Sequence, residues 1–334
     1  MATTIKDIAK KTGLGLATIS KYLNGGNVRV ENRKAIEEAI KELDFRVNEF
    51  ARGLKTSKSK TIGVIIPELS NLFCTHIITI IEDILRQKGY AIIVCDCRTD
   101  EKLEYEATEF LINKMVDGII SMPVSRDGKY LELPLAKDIP VVLIDRKVEG
   151  FSVDAVVVDN VSASENAIDY FIKNGHKNIG IICGPKNVFT SEQRLLGYHQ
   201  AFLKRGILPK ESLVTYGAYT VESGYECLKK LLSENKDMTS VFITNYEMTL
   251  GAIIAINELN IKVPGQLSLI GFDNMQLSKV VQPKLTVVSQ PIEQIAQHVA
   301  NIMLKRLSCE GPDEAEIINL STELMMGASV LSKG

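Results

Sequence analysis

Apolar residues near the start of the chain recur at the three- to four-residue spacing of amphipathic helices. Ile5 and Ile8 share one face of a predicted first helix, which ends near Thr12 because a Gly-Leu-Gly segment follows. Ile19 and Leu23 predict a second short helix that ends at an Asn-Gly-Gly segment. Two short helices joined by a tight turn that contains glycine form a helix-turn-helix motif.

The front of the second helix carries side chains that would point away from the core. If the apolar pair faces inward, Leu16, Ala17, Ser20 and Lys21 project outward. In a helix-turn-helix motif this end of the second helix lies in the major groove of DNA. Lys21 can donate to guanine there, and Leu16 and Ala17 can pack on thymine methyl groups. The alternative is an ordinary core leucine beside a solvated lysine.

A third helix and a shorter helical segment follow. Ile36 and Ile40 belong to an apolar stripe that predicts a helix from about Val30 to Leu43. Residues 45–56 have a helical pattern of barely two turns, which is unstable in isolation because nucleation costs more than two turns return. Gly53 weakens this segment by about 1 kcal/mol more, relative to alanine.

From residue 61 onward, short runs of β-branched residues alternate with amphipathic helical stretches. This is the βαβ rhythm of a doubly wound parallel sheet, and it restarts after Asp159, so we expect two similar lobes with a cleft between them. The predicted strands cover residues 62–67, 90–95, 118–122, 140–145, 178–183, 240–244 and 267–271. The predicted helices end near residue 89, cross 105–115, run from 160 to about 175, and cover about 194–205, 222–232 and 247–259.

Charge is distributed unevenly along a chain of otherwise ordinary globular composition. The 334 residues are 45% hydrophobic and 24% charged, and they are too many for one ordinary domain. The formal net charge is -2, yet residues 1–60 carry 13 Lys and Arg against 7 Asp and Glu. A basic end on an acidic body is the footprint of a protein that meets phosphate at one end. A solvated charged face is the alternative.

Several classes of chemistry lack their motifs. The six cysteines are scattered without a C-x-x-C pair, so we expect no metal and no cofactor. The four histidines show no catalytic spacing, and neither a nucleotide-binding glycine loop nor a nucleophile elbow occurs, so we expect no enzymatic activity. The polar start MATTIKDIAKK indicates neither secretion nor membrane anchoring, so we expect a cytoplasmic protein.

Four segments together resemble one protein family. TIKDIAKKTGLGLATISKYLNGG, ARGL, IGVIIPELSNLF and IGFDNMQLSKVVQPKLTVVSQP are similar to the LacI/GalR (lactose-repressor) family of transcription regulators, over nearly the whole chain. The resemblance implies an α/β protein with an N-terminal three-helix helix-turn-helix head and two doubly wound parallel-sheet lobes of the periplasmic-binding-protein type. The expected borders are 1–47 for the head, 48–60 for a hinge helix and linker, and 61–334 for the effector-binding domain, with lobe 1 at about 61–160 and 291–315 and lobe 2 at about 161–290 and 316–334.

The resemblance also implies how the hinge meets DNA. Leu54, with Ala51 beside it, would wedge into the minor groove at the centre of a palindromic operator and kink the duplex. Such a hinge helix forms only on DNA, in agreement with its short length. We also assign Thr4, Thr18 and Asn24 to the DNA contacts.

Three positions of the head depart from the family pattern. Gly15 stands where the family usually has a serine that caps the recognition helix, and Arg29 stands where a serine usually caps the third helix. Lys21 replaces the usual arginine. Because lysine is a point donor rather than a bidentate fork, base discrimination at this contact should be looser.

Ligands of open α/β sheets bind beyond the carboxyl ends of the strands. That rule selects residues 70–73 (with Leu72 and Phe73), Arg146, Tyr246 and Asp273. The resemblance adds Arg194, Tyr219 and Gln290. Arginine with acid and amide groups suits polyhydroxyl compounds, and aromatic faces stack on sugar or base rings. For each residue the alternative is an ordinary loop or surface position.

Two departures concern this cleft. Sugar-binding members usually have Asn-Asp where this chain has Asn245-Tyr246, and the lost carboxylate argues against an ordinary sugar inducer. Leu72 replaces a frequent proline. The chain nevertheless resembles regulators that bind a palindromic operator as a homodimer, with repression controlled by a small carbohydrate-type metabolite.

A second function stays open beside this one. ARGL and IIPELSN resemble the catabolite-control branch of the family, whose effector is a phosphorylated phosphocarrier protein, and the missing acidic ligand favours that branch. Against it, the segment Ile144-Asp145-Arg146 resembles sugar-responsive members.

Overall fold

The computed structural model describes residues 3–23, 25–45, 58–273, 277–312 and 314–333. The chain divides into two compact units, Met1–Lys60 and Thr61–Gly334. The unit Met1–Lys60 is called the head and the unit Thr61–Gly334 the body. Within the described residues no helix has both the length and the apolar character needed to cross a membrane.

The head contains helices α1 (Ile5–Thr12), α2 (Leu16–Leu23) and α3 (Val30–Glu42). The start of α1 is fixed by Thr4, whose backbone N–H donates to Asp7 Oδ2 at 2.8 Å. Gly13 ends it in the left-handed conformation, at φ 70°, which glycine adopts without steric cost. The predicted ends of these helices agree with the structure to within about one residue.

A small apolar core holds the head helices together. Ile8, Ile19 and Ile36, one from each helix, are fully buried against one another, with Ala39 beside them. The apolar spacing therefore selects the inward faces correctly, because each helix can bury only one stripe.

The body is built around two sheets. The first-lobe sheet has the order β11-β5-β4-β3-β1-β2, and each pairing among its described strands is parallel. Its strands are β1 (Thr61–Ile66), β2 (Ala91–Asp96), β3 (Gly118–Ser121), β4 (Val141–Ile144), β5 (Asp154–Val158) and β11 (Ile317–Leu320). Its helices are α4 (Leu72–Gln87), α5 (Glu101–Asn113), α6 (Glu132–Leu135) and α12 (Ile292–Leu307).

The second-lobe sheet has the order β12-β10-β9-β8-β6-β7, parallel except where β12 runs antiparallel to β10. Its strands are β6 (Ile179–Cys183), β7 (Val214–Tyr216), β8 (Ser240–Ile243), β9 (Ser268–Phe272), β10 (Thr286–Ser289) and β12 (Glu323–Met325). Its helices are α7 (Asn160–Lys173), α8 (Phe189–Leu203), α9 (Val221–Glu234), α10 (Tyr246–Glu258) and α11 (Leu277–Val280). The predicted fold class, a helical head with two doubly wound lobes, is confirmed.

One predicted border is wrong. Residues 316–334 were expected in the second lobe, but Ile317–Leu320 pairs in parallel with Asp154–Val158 of the first-lobe sheet. Only after Leu320 does the chain enter the second lobe, at Glu323–Met325. The segment Ile317–Leu320 alternates exposed and half-buried residues as an edge strand does, and this pattern fits the edge of either sheet. Ile292–Leu307 packs in the core of the first lobe, against which the sequence also places it.

Along the described residues the chain passes between the lobes three times. The passages lie between β5 and α7, between β10 and α12, and between β11 and β12. Linkers of this kind allow two lobes to close on each other like a hinge.

Candidate functional site

The front of α2 presents apolar side chains to solvent. Leu16 is 45% exposed although it is a leucine, and Ala17 and Lys21 are also exposed. Thr18 and Ser20 are half-buried, and Thr4, which starts α1, is exposed. The structure thus rejects the alternative of a core leucine at position 16, and it leaves an accessible surface of mixed apolar and basic character.

Lys21 is held against the turn that follows α2. The backbone N–H of Gly26 donates to the Lys21 carbonyl at 2.8 Å. A methyl group added at Gly26 would lie 2.6 Å from Lys21 Cγ and 2.9 Å from the Lys21 carbonyl oxygen. Only glycine therefore lets the lysine stem cross this turn so closely.

The other predicted DNA contacts, Asn24, Ala51 and Leu54, lie outside the described residues. Their roles stay predictions.

In the body, a cavity that is partly open to solvent lies between the lobes at the carboxyl ends of the strands. Leu72 lines an adjoining cavity that shares Phe73 and Gln290 with the first. Ser70 is exposed and donates to Glu68 instead, at 3.1 Å. The structure brings these predicted effector residues together around the first cavity: Phe73, Arg146, Arg194, Tyr219, Tyr246, Asp273 and Gln290.

Asp273 is the acidic centre of this cavity. Gln290 Nε2 donates to both of its carboxylate oxygens, at 2.9 and 3.1 Å. Burial raises the pKa of Asp273 from 3.8 to about 7, although nearby Arg194 and the Gln290 hydrogen bonds act in the opposite direction. A carboxyl group with a pKa near neutral can donate or accept a hydrogen bond, so it suits a hydroxyl-bearing ligand.

Arg194 is fixed from three sides. Its Nε donates to Asn160 Oδ1 at 2.8 Å, and one terminal nitrogen donates to the Thr244 carbonyl at 2.6 Å. Its guanidinium carbon lies 3.7 Å from the centre of the Phe272 ring. Arg194 is 4% exposed, so it is a rigid wall of the cavity rather than a mobile arm.

Arg146 enters from the first lobe. One terminal nitrogen donates to the Pro123 carbonyl at 2.9 Å, and its Nε lies 3.4 Å from Asp145 Oδ2. Its Nε is buried and forms no hydrogen bond within the described part of the chain.

Three residues of the cavity lining have strained backbone conformations. Asp145, Tyr219 and Asp273 line the cavity with φ values of 69°, 59° and 62°, a region that costs energy for residues other than glycine. Gly184 allows the Tyr219 ring to approach, because a Cβ there would lie 2.1 Å from Tyr219 Cζ. Strain of this kind persists where the surrounding structure holds functional side chains in place.

Glu247 is a lining residue that the sequence patterns did not indicate. It lines the cavity from the first turn of α10, and Asn245 Nδ2 donates to its Oε2. Burial raises the pKa of Glu247. A carboxylate thus occupies this part of the cleft after all, one residue later than the family pattern, and an Asn-x-acid spacing at a strand end was the signal available.

An ion pair joins the lobes beside the cavity. Arg126, in the loop after β3, donates to Glu192 Oε1 on α8 at 2.9 Å and to Glu149 Oε1 at 2.7 Å. Both side chains of the Arg126–Glu192 pair are partly exposed. Because its partners come from different lobes, this pair forms only when the cleft is closed enough for contact.

Comparison with known proteins agrees with this architecture. Residues 4–48 match the family described as "Bacterial regulatory proteins, lacI family", and residues 168–330 match the "Periplasmic binding protein-like domain". Among solved structures, a complex of the transcriptional regulator CelR with cellobiose is similar with a TM-score of 0.75 at 26% identity, covering 98% of this chain and 99% of that one.

Two curated relatives align over nearly their full length. Catabolite control protein A of Priestia megaterium is 34% identical over 317 residues, which cover 94% of this chain and 96% of the relative. The transcriptional repressor PurR of Histophilus somni is 32% identical over 329 residues, which cover 98% of both chains. With this head, this two-lobed body and these relatives, the chain belongs to the LacI family of bacterial transcription regulators.

Proposed function

We propose that this regulator binds a palindromic operator as a dimer and represses transcription under the control of a small carbohydrate-type metabolite bound in the cleft. The observation that carries the proposal is the exposed front of α2, where Leu16 and Lys21 present an apolar and a cationic group together. An exposed leucine costs solvation in the free protein, and a thymine methyl group would cover it. One head per half-site requires two copies of the chain on a palindrome.

The cleft supports the carbohydrate part of this proposal. Buried acid, amide and guanidinium groups converge with the aromatic rings of Phe73, Tyr219 and Tyr246 around the cavity. Such a lining suits a ring that carries hydroxyl groups. A similar regulator in complex with cellobiose is consistent with this class of ligand.

A phosphocarrier protein as effector is less favoured. That alternative was suggested by the ARGL and IIPELSN segments and favoured by the absence of an acidic ligand at Asn245-Tyr246. The second argument is weakened because Glu247 places a carboxylate in the cleft.

The test is selection of DNA by the full chain from a random library at near-physiological salt. We expect enrichment of palindromic sites, and we expect sugars that raise the melting temperature of the protein to change its operator affinity. Failure to prefer any palindrome over random DNA, with and without the sugars, would disprove the proposal.

A further inference from the structure

The cleft contains buried hydrogen-bond acceptors without donors. Glu247 Oε1 and Gln290 Oε1 are both buried, and neither has a hydrogen-bond partner among the described residues. Gln290 itself is only 6% exposed, and its amide nitrogen is already committed to Asp273. A buried acceptor without a partner costs about 1–3 kcal/mol, so its presence at a cavity indicates a ligand that donates.

Several donors of the cleft already have partners within the protein. Arg194 donates to Asn160 and to the Thr244 carbonyl, and Arg146 donates to the Pro123 carbonyl. Among the buried side-chain donors that line the cavity in the described chain, Arg146 Nε has no hydrogen-bond partner, and it lies 3.4 Å from Asp145 Oδ2. A phosphate ester would need several free donors around its oxygens.

The charges of the lining residues also argue against a phosphate ester as the ligand. The described lining residues include the carboxyl groups of Asp145, Glu247 and Asp273 against the guanidinium groups of Arg146 and Arg194. A dianionic ligand would therefore enter a site that already contains more acidic than basic groups.

Helix N-termini can bind anions, but the N-termini of the helices around this cleft already have acidic or amide side chains of the protein beside them. Asn71 and Asn245 cap α4 and α10, accepting the N–H groups of Cys74 and Met248. Glu192 lies in the first turn of α8, and Glu247 lies in that of α10. Each partial positive charge thus has an acidic or amide partner.

We propose that Glu247, with Gln290, receives donor groups of the effector, so that the cleft selects neutral or ammonium-bearing polyhydroxyl compounds over their phosphate esters. This inference rests on the proposed function, since it names the ligand class of the same cleft. It assigns Glu247 a binding role in addition to its place at the start of α10.

The first part of the test needs no known effector. Glu247→Gln keeps the shape of the side chain and removes its charge, and Glu222→Gln is the matched control, because Glu222 lies in the first turn of α9 but is exposed. In the ligand-free full chain we expect Glu247→Gln to raise the melting temperature and Glu222→Gln to leave it nearly unchanged. A melting temperature for Glu247→Gln at or below that of the control overturns the proposal.

The second part uses matched trios of compounds: glucose, glucosamine and glucose 6-phosphate, with cellobiose as a further neutral probe and the galactose and mannose trios beside them. We expect the neutral or amino compound of a binding trio to bind at least tenfold more tightly than its phosphate ester, and Glu247→Gln to weaken that binding at least tenfold. Tighter binding of a phosphate ester, or equal binding by the wild type and Glu247→Gln, overturns the inference.

The two proposals fail separately. A chain that selects an operator and responds to a sugar, yet is indifferent to Glu247→Gln, loses this inference and keeps the proposed function. A chain that selects no DNA loses the proposed function, while binding of the compound trios by the wild type and Glu247→Gln still decides the ligand class.

Discussion

Asp273 has both a strained backbone conformation and a buried carboxyl group, and each of these costs free energy. Its backbone has a φ of 62°, and burial raises the pKa of its carboxyl group to about 7. The groups that face it are Arg194 from α8, Gln290, Asp145 from the first lobe and Glu247 from α10. The arginine and the amide lower the pKa of Asp273, and the two carboxyl groups raise it. The pKa of Asp273 therefore depends on the charges of residues from both lobes.

This pKa predicts a pH dependence of stability. The folded chain retains the Asp273 proton up to about pH 7, whereas the unfolded chain releases it near 3.8. Stability should therefore be fully present below about pH 4 and fall as pH rises toward 7, by a few kcal/mol for this group. Melting curves of the ligand-free wild type and Asp273→Asn between pH 5 and 8 measure this. We expect the variant to gain stability relative to the wild type as pH rises, and a constant difference would contradict the prediction.

The lysine at position 21 should discriminate between bases less strictly than an arginine would. Replacing it with alanine should weaken operator binding roughly 5- to 100-fold, and replacing it with arginine should sharpen the preference for guanine, because the guanidinium group donates bidentately. Binding to a series of operators with single base changes measures both effects. Lys34→Ala is the control, since Lys34 is also exposed but lies on α3. Equal losses for Lys21→Ala and Lys34→Ala would show that Lys21 contributes only charge.

At the scale of elements, the recognition helix depends on the residues that flank it. Gly15 begins α2, and its carbonyl accepts the N–H groups of Thr18 and Ile19. Gly26 lies in the turn that follows α2, in close contact with the aliphatic part of the Lys21 side chain. One glycine lies in open space and the other in a close contact, so their substitutions should have opposite effects.

Gly15→Ser should stabilise the head by a few tenths of a kcal/mol, because serine caps a helix slightly better than glycine does. Gly26→Ala should destabilise it by about 1–3 kcal/mol, because its Cβ would collide with the Lys21 carbonyl oxygen. Urea unfolding of the head, followed by circular dichroism, measures both changes. Effects of the same sign would show that the turn relaxes around the added methyl group.

At the scale of the whole molecule, the lobes can communicate through groups that touch across the cleft and through the chain segments that connect them. Arg126 and Glu192 form such a contact, and the chain connects the lobes at three places within the described residues. A ligand that prefers the closed arrangement shifts the lobes by no more than its difference in affinity for the two states. The ion pair adds to that difference, although neither of its residues lines the cavity.

Arg126→Ala should hardly change the melting temperature, since exposed ion pairs contribute little to stability. The dissociation rate of the effector should nevertheless rise a few-fold, because the variant favours the open cleft. Stopped-flow measurement of effector release tests this. Lys129→Ala is the control, because Lys129 pairs with Asp127 inside the first lobe. An unchanged release rate in Arg126→Ala would rule out a role of the pair in closure.

The sequence by itself determined the helical head, the βαβ order of the lobes and part of the cavity lining. Spacing of apolar residues reports which face of an element is buried, and chain order determines where parallel strands end, so the positions of Arg146, Tyr246 and Asp273 follow from strand order alone. Residue type alone could not decide which sheet receives a short edge strand, and the strand Ile317–Leu320 was therefore placed in the wrong lobe. Only the tertiary structure showed that Glu247 turns into the cleft, that Arg126 reaches Glu192 and that the pKa of Asp273 is raised. Each of these depends on burial and on contacts between residues far apart in the chain, which no local pattern records.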